Sequence, residues 1–225
     1  MSLTITEYDA VIFDMDGVLI DSEPLWKIAM ENVFHSLGSN LQKSDFQKTV
    51  GLRIDEVIHF WNLHENWHLK DEKQVEKLII DEMVNLILTN GKPLSGVIET
   101  LRFLKQNQFK IGLATSSPLR LVEAVLKSLS ISEFFDAIHS AENEPFGKPH
   151  PCVYIETAKT LNTSPYKCLV IEDSFNGVIA GIAAKMKVVC IPEKTHFPNT
   201  RLSVADFTFD SMDEFLKTIQ HQLQH

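Results

Sequence analysis

Asp14 and Asp16 stand two residues apart, directly after the apolar run Val11-Ile12-Phe13 and directly before Gly17. An Asp-x-Asp pair at the end of a strand offers one carboxylate to attack and a second to move a proton. The β-branched and aromatic run before it has the character of a central strand covered on both faces. In open α/β sheets ligands bind beyond the carboxyl ends of such strands, and Gly17 lets the chain turn away beneath the acids. Taken alone, Asp-Gly at a strand end is also an ordinary turn.

Two other places have the same form, and a lysine lies between them. Residues 111–118 read Ile-Gly-Leu-Ala-Thr-Ser-Ser-Pro, an apolar strand ending in the hydroxyls of Thr115, Ser116 and Ser117. Residues 169–174 read Leu-Val-Ile-Glu-Asp-Ser, ending in the carboxylates of Glu172 and Asp173. Between them, Lys148 sits in Gly-Lys-Pro-His-Pro. Each has a plain structural alternative: a helix cap at 115–117, a solvated lysine at 148, and a cap by Asp173 or Ser174. His150 reads as a helix-start or surface residue.

Positioning these groups requires an alternating architecture. Apolar runs at 10–13, 111–115, 168–171 and 188–191 read as core strands. Leu101 and Leu104, then Leu121, Val122, Val125, Leu126 and Leu129, recur at helical spacing between them. The expected fold is α/β, a doubly wound, Rossmann-like parallel sheet with right-handed crossovers and helices on both faces. Residues 21–92 contain no convincing strand and read as an inserted helical cap, leaving 1–20 and 93–225 as the core. Within the insert, Ser22 is placed to cap a helix with Pro24 in its first turn and Gly38 beyond its end. A second helix is expected over 71–90, with Val75, Leu78, Ile79, Met83, Leu86 and Ile87 inward and Gly91 as terminator. Chain crossings near 20–23 and 90–95 make natural hinges for a cap that closes and expels water.

The 225 residues, 44% of them hydrophobic, suffice for a core and an insert. A formal net charge of −9 and the lack of a basic run argue against a sequence-independent grip on nucleic acid or an anionic membrane. Cys152, Cys168 and Cys190 lack metal-type spacing and read as structural thiols. With an odd cysteine count and no signal-peptide pattern, a reducing cytoplasm is expected. No apolar stretch approaches membrane-spanning length, and no heptad seam or oligomerisation stripe is evident, so the oligomeric state is left open with a monomer expected.

The string 14–22, Asp-Met-Asp-Gly-Val-Leu-Ile-Asp-Ser, resembles the first motif of the haloacid dehalogenase-like phosphohydrolases, and the other strand ends resemble the remaining three in the family's order. The resemblance implies Asp14 as nucleophile, Asp16 as general acid/base, Thr115 and Ser116 on the phosphoryl group, and Lys148 neutralising its oxygens. It further implies Mg²⁺ held by Asp14, Asp16 and Asp173, with Glu172 assisting directly or through water. Two carboxylates about 4 Å apart repel by roughly 4 kcal/mol at an effective dielectric of 20. A divalent cation relieves that repulsion, and all-oxygen ligation favours Mg²⁺ over zinc. Ala184-Lys185-Met186 departs from the Ala-Gly-Met of many relatives and bears on helix packing.

Asp16 argues for phosphate chemistry over dehalogenation, whose enzymes lack the second acid. Residues 22–26, Ser-Glu-Pro-Leu-Trp, and 51–55, Gly-Leu-Arg-Ile-Asp, resemble a sugar-phosphatase subgroup. That implies hexose or hexitol phosphates, with Trp26 against sugar carbons and Arg53 on a hydroxyl or phosphate; a cap-core aromatic and a solvated arginine are the alternatives. A β-phosphoglucomutase-type mutase is the rival activity. In that subgroup a histidine commonly occupies the position of Trp26, which cannot act as a base. A catalytically silent, metabolite-binding relative is the third reading, and the retention of Asp14, Asp16, Lys148 and Asp173 speaks against it.

Overall fold

The computed structural model describes residues 3–49, 52–192 and 200–223. Its sheet comprises β1 (Ala10–Phe13), β2 (Lys110–Thr115), β3 (Ala137–Ser140), β4 (Cys168–Glu172), β5 (Lys187–Cys190) and β6 (Phe207–Thr208). The order is β3-β2-β1-β4-β5-β6 and every neighbouring pair is parallel. All four residues of β1 are apolar and fully buried, so this strand belongs at the centre. Strand order reverses there, with β2 on one side and β4 on the other, which opens a crevice beyond its carboxyl end. Phe13 lies opposite both Leu113 and Ile171. Asp14, Thr115 and Glu172 therefore emerge at one edge.

The helices are α1 (Glu23–Ser36), α2 (Ile54–Glu65), α3 (Glu72–Asn90), α4 (Val97–Gln106), α5 (Leu119–Leu129), α6 (Cys152–Thr160), α7 (Phe175–Ala183) and α8 (Met212–Leu223). Side chains alternate across the sheet with period two. Val11, Phe13, Leu113 and Ile171 pack with α4, α5 and α8, whereas Ala10, Ile12, Ala114 and Val170 pack with α6 and α7. No described helix is long and apolar enough to cross a membrane.

α1, α2 and α3 form the helical insert between β1 and β2. Its two connections run side by side: Ile20 bridges Pro93, and the Leu94 amide donates to the Leu19 carbonyl at 3.1 Å. α3 packs on α1 and α2 and also on α5 of the core. Arg120 pairs with Asp81 at 2.7 Å, and Ser128 Oγ donates to the Ile87 carbonyl at 3.0 Å. Phe34, Trp61, Ile79, Met83 and Ile87 join the same apolar cluster as one sheet face.

The four expected strands form, and two more flank them. β3 is a partly exposed Ala-Ile-His-Ser segment and β6 has two residues, so neither carries an apolar run. The helix expected over 71–90 begins at Glu72, and Asp71 caps it by accepting from the Lys73 and Gln74 amides. Leu78, expected inward, is exposed. Ser22 occupies the N-cap position of α1 without a side-chain cap bond, and Pro118 rather than a hydroxyl precedes α5. Ser174 does cap α7, accepting from the Gly177 amide. Gly51 lies outside the described residues.

Candidate active site

Asp14 follows β1 and is 7% exposed. Lys148 reaches it from the loop before α6, its Nζ lying 2.6 Å from Asp14 Oδ1, 2.8 Å from Glu172 Oε1, 2.9 Å from the Tyr154 hydroxyl and 3.0 Å from the Ala114 carbonyl. The solvated-lysine alternative is thereby excluded: only 6% of the side chain is exposed. Burial works against the ammonium, but Asp14 and Glu172 outweigh it and hold its pKa above the ordinary lysine value. Glu172 is fully buried, and both its oxygens are occupied. Tyr154 donates to Oε1 at 2.7 Å, while the Asp173 and Ser174 amides and the Ser174 hydroxyl donate to Oε2. Its direct task is therefore to fix Lys148. Burial alone would raise the Glu172 pKa; Lys148 and Tyr154 bring it below its usual value. Tyr154 escaped the sequence reading, because a tyrosine on an apolar face of α6 looks like an ordinary core residue. Its place six residues after Lys148 was the available signal.

Asp16 is held by three donors from two segments, the start of α1 and the loop after β2. Ser22 Oγ and Trp26 Nε1 donate to Oδ1 at 2.6 and 3.2 Å, and Ser117 Oγ donates to Oδ2 at 2.6 Å. This explains why Ser22 does not cap α1 and why Ser117 does not cap α5: both hydroxyls are used on the acid. The Trp26 ring is half-buried against the apolar cluster, and its N–H ties the insert to Asp16. Thr115 Oγ1 accepts from the Ser117 amide at 3.0 Å, which sets the loop that carries Ser116.

Asp14, Glu172 and Asp173 each offer a carboxylate oxygen within 4.8 Å of the others. Asp16, expected among the metal ligands, stands outside this group with its carboxylate turned to the three donors above. Gly17 has φ of +73°, and a Cβ there would lie 2.1 Å from Asp173 Oδ2. Only glycine permits that approach. Burial, joined by Glu172 and Asp16, pushes the Asp14 carboxyl up to about 7 against the opposing pull of Lys148. Burial, Glu172 and Asp14 raise Asp173 well above the ordinary aspartate value. Such a crowd suits a hard divalent cation, and the all-oxygen donor set fits Mg²⁺.

Because the folded-state pKa of Asp14 lies above its unfolded value, the metal-free protein loses stability from this group as pH rises from about 4 to 7, and the loss is complete above about 7. A divalent cation bound there would compete with those protons. Saturating Mg²⁺ should raise Tm by roughly 5–10 °C at pH 8 and by much less at pH 5, read by differential scanning fluorimetry against EDTA.

A cavity of about 510 Å³ separates the strand ends from the insert. Asp14, Asp16, Thr115, Ser116, Lys148 and Asp173 line its core wall, and Trp26, Met30, Phe46, Leu52, Arg53 and Val57 line the opposite wall. All the residues expected from the sequence to act on phosphate, sugar or metal border this space except Glu172. Arg53 is not solvated, with 18% of its side chain exposed. It forms a bidentate pair with Asp55, 2.6 Å at each contact, and its third nitrogen donates to the Glu144 carbonyl of the core at 3.1 Å. His150 is exposed near the start of α6.

A parallel sheet reversing at β1, a helical insert above that point, and a buried Asp-Lys contact beneath the shared cavity define one class of protein. The chain belongs to the haloacid dehalogenase-like hydrolases, whose family pattern matches residues 8–185. It is 38% identical over 206 residues to hexitol phosphatase B of Escherichia coli K12, covering 91% of this chain and 93% of that one. It is 34% identical to the phosphorylated carbohydrates phosphatase of Thermotoga maritima, covering 78% and 81%. Among solved structures, β-phosphoglucomutase from Clostridium difficile superposes with a TM-score of 0.80 at 25% identity over 97% of this chain and 100% of that one. CbbY from Rhodobacter sphaeroides, in complex with phosphate, shares the fold with a TM-score of 0.84 at 22% identity, covering 95% and 99%.

Proposed function

We propose that this protein is a Mg²⁺-dependent phosphatase of hexose or hexitol phosphates, working through an aspartyl-phosphate on Asp14, with residues 21–92 as a cap over a core of 1–20 and 93–225. The observation that carries the reading is the Asp14–Lys148 contact at the floor of a cavity closed above by the insert. Kinship to hexitol phosphatase B supports the substrate class.

The Asp14 carboxylate attacks phosphorus, forming an oxygen–phosphorus bond as the ester bond to the sugar oxygen breaks. Asp16 gives its proton to that leaving oxygen. Water then attacks the phosphoryl group on Asp14, Asp16 takes the proton back, and inorganic phosphate leaves with Asp14 restored. Lys148, Thr115 and Ser116 hold the phosphoryl oxygens through both steps. The Asp14 and Asp173 carboxylates would hold Mg²⁺, which when bound would supply the charge neutralisation that lets an anionic nucleophile meet an anionic ester.

The mutase alternative requires a base to prepare a second sugar hydroxyl. At the position in question Trp26 has only an N–H to offer, and Asp16 already accepts it. The test is phosphate release from 2-deoxyglucose 6-phosphate, sorbitol 6-phosphate, mannitol 6-phosphate and β-glucose 1-phosphate, with and without Mg²⁺. Mg²⁺-dependent release led by a 6-phosphate is expected. Conversion of β-glucose 1-phosphate to glucose 6-phosphate with little free phosphate would establish the mutase instead.

A further inference from the structure

Asp16 has to give a proton to the leaving oxygen and later take one from water, so the direction in which its carboxyl points governs both transfers. Two side chains of the insert fix one of its oxygens. Ser22 and Trp26 stand four residues apart, and the Trp26 amide donates to the Ser22 carbonyl at 2.9 Å, which puts both side chains on one face where α1 begins. They converge on Asp16 Oδ1, at 2.6 and 3.2 Å. An indole N–H donates and never accepts. Oδ1 is thereby held as an acceptor, and the mobile proton belongs on Oδ2. There Asp16 meets the Ser117 hydroxyl at 2.6 Å. A hydroxyl donates or accepts by turning about its bond, so Ser117 stays bonded to Oδ2 whether or not the proton is present. Ser117 is 8% exposed, and its backbone is pinned on both sides. Its amide donates to Thr115 Oγ1 at 3.0 Å, and its carbonyl accepts from Ser140 Oγ, at the end of the neighbouring strand β3, at 2.7 Å. The helix that follows makes no claim on it. The Leu119 amide at the start of α5 donates to Glu142 Oε2 at 3.1 Å, which leaves the Ser117 hydroxyl to the acid. Ser22, Trp26 and Ser117 all border the cavity with Asp16.

We propose that Ser117 and Trp26 are the positioning residues of the proton transfers: Trp26, with Ser22, reserves Oδ1 as an acceptor, and Ser117 aims the proton on Oδ2 at the leaving oxygen. The proposal rests on the phosphatase reading and adds to it the residues that orient Asp16. As the bond from phosphorus to the ester oxygen breaks, its electron pair stays on that oxygen and takes the Oδ2 proton. As water then bonds to phosphorus and the bond to Asp14 breaks, a water proton returns to Oδ2. Both residues act through Asp16. Removing either leaves the acid in place but free to turn, so the loss falls on esters whose leaving oxygen needs a proton. An aryl oxide carrying a strongly electron-withdrawing group departs without one.

The experiment measures phosphate release in Mg²⁺ from sorbitol 6-phosphate, phenyl phosphate and p-nitrophenyl phosphate, compared as kcat/KM, which covers the steps through departure of the leaving group. Ser117→Ala and Trp26→Phe should each lower kcat/KM for sorbitol 6-phosphate at least about tenfold more than for p-nitrophenyl phosphate, with phenyl phosphate between them. In an Asp16→Asn background, Ser117→Ala should lower kcat/KM for sorbitol 6-phosphate by less than about threefold more, since the interaction it removes is already lost. A melting curve on each sample shows that the variant is folded, and if one variant unfolds the other decides. Losses equal across the three esters in either folded variant, or a Ser117→Ala loss that adds in full to that of Asp16→Asn, overturn the proposal. Release from the aryl esters with none from sorbitol 6-phosphate by the unmodified enzyme would overturn the sugar-phosphate reading, while the contrast between phenyl and p-nitrophenyl phosphate still decides the role of Ser117 and Trp26. No release from any of the three would overturn both.

Discussion

Asp14→Asn should lower turnover by about 10⁴-fold or more, the scale on which loss of a covalent nucleophile acts, while the protein stays folded. The amide nearly matches the carboxylate in shape but cannot attack phosphorus. Its effect on stability is set by the surroundings. Asp14 is buried with its carboxyl pushed up to about 7, and Glu172 and Asp173 lie close by, so removing one negative charge relieves repulsion. Against this, Lys148 loses one charged partner but keeps Glu172, Tyr154 and the Ala114 carbonyl. The two effects oppose each other, and Tm at pH 8 should hold within a few degrees or rise. Overnight phosphate-release assays of the purified variant, with a melting curve on the same sample, check both halves. Retention of even one per cent of wild-type turnover would exclude Asp14 as nucleophile.

The groups that carry this chemistry were legible because each stands where an apolar strand stops. Asp14, Thr115 and the Glu172-Asp173 pair all interrupt runs that must be buried, and parallel pairing of the runs brings their ends to one edge. What supports those groups was not legible. Tyr154, Ser117 and Asp55 act through partners distant in sequence or through a side-chain geometry that spacing does not define. Ser22 shows the competition: a local preference for capping α1 yields to a tertiary bond with Asp16. Leu78 shows the converse, since α3 turns part of its apolar stripe to solvent. Strands β3 and β6 lacked an apolar signal because one is partly exposed and the other has only two residues.

Lys148→Met should damage stability and activity together, and the stability loss should depend on pH in a defined direction. The ammonium lies between Asp14 and Glu172 at 2.6 and 2.8 Å, so a methionine of similar length leaves two buried acids in contact without a counter-charge. Removing one partner of a buried ion pair typically costs about 3–5 kcal/mol, which in a chain of this size corresponds to a fall in Tm of roughly 6–20 °C. Lys148 and Tyr154 hold the folded-state pKa of Glu172 below its usual value. The stability that Glu172 gains this way is present above its unfolded pKa of about 4.3 and disappears as pH falls through the lower folded value. In the methionine variant that contribution is gone and Glu172 takes up a proton instead, so the deficit against wild type should be largest at pH 8 and shrink toward pH 4. Melting curves in EDTA across that range test the sign, because a deficit independent of pH would mean that Lys148 acts there through packing alone. Lys148→Arg should not restore turnover: a planar guanidinium spreads its charge over a fork too broad for a site that places one nitrogen within 3.0 Å of four oxygens.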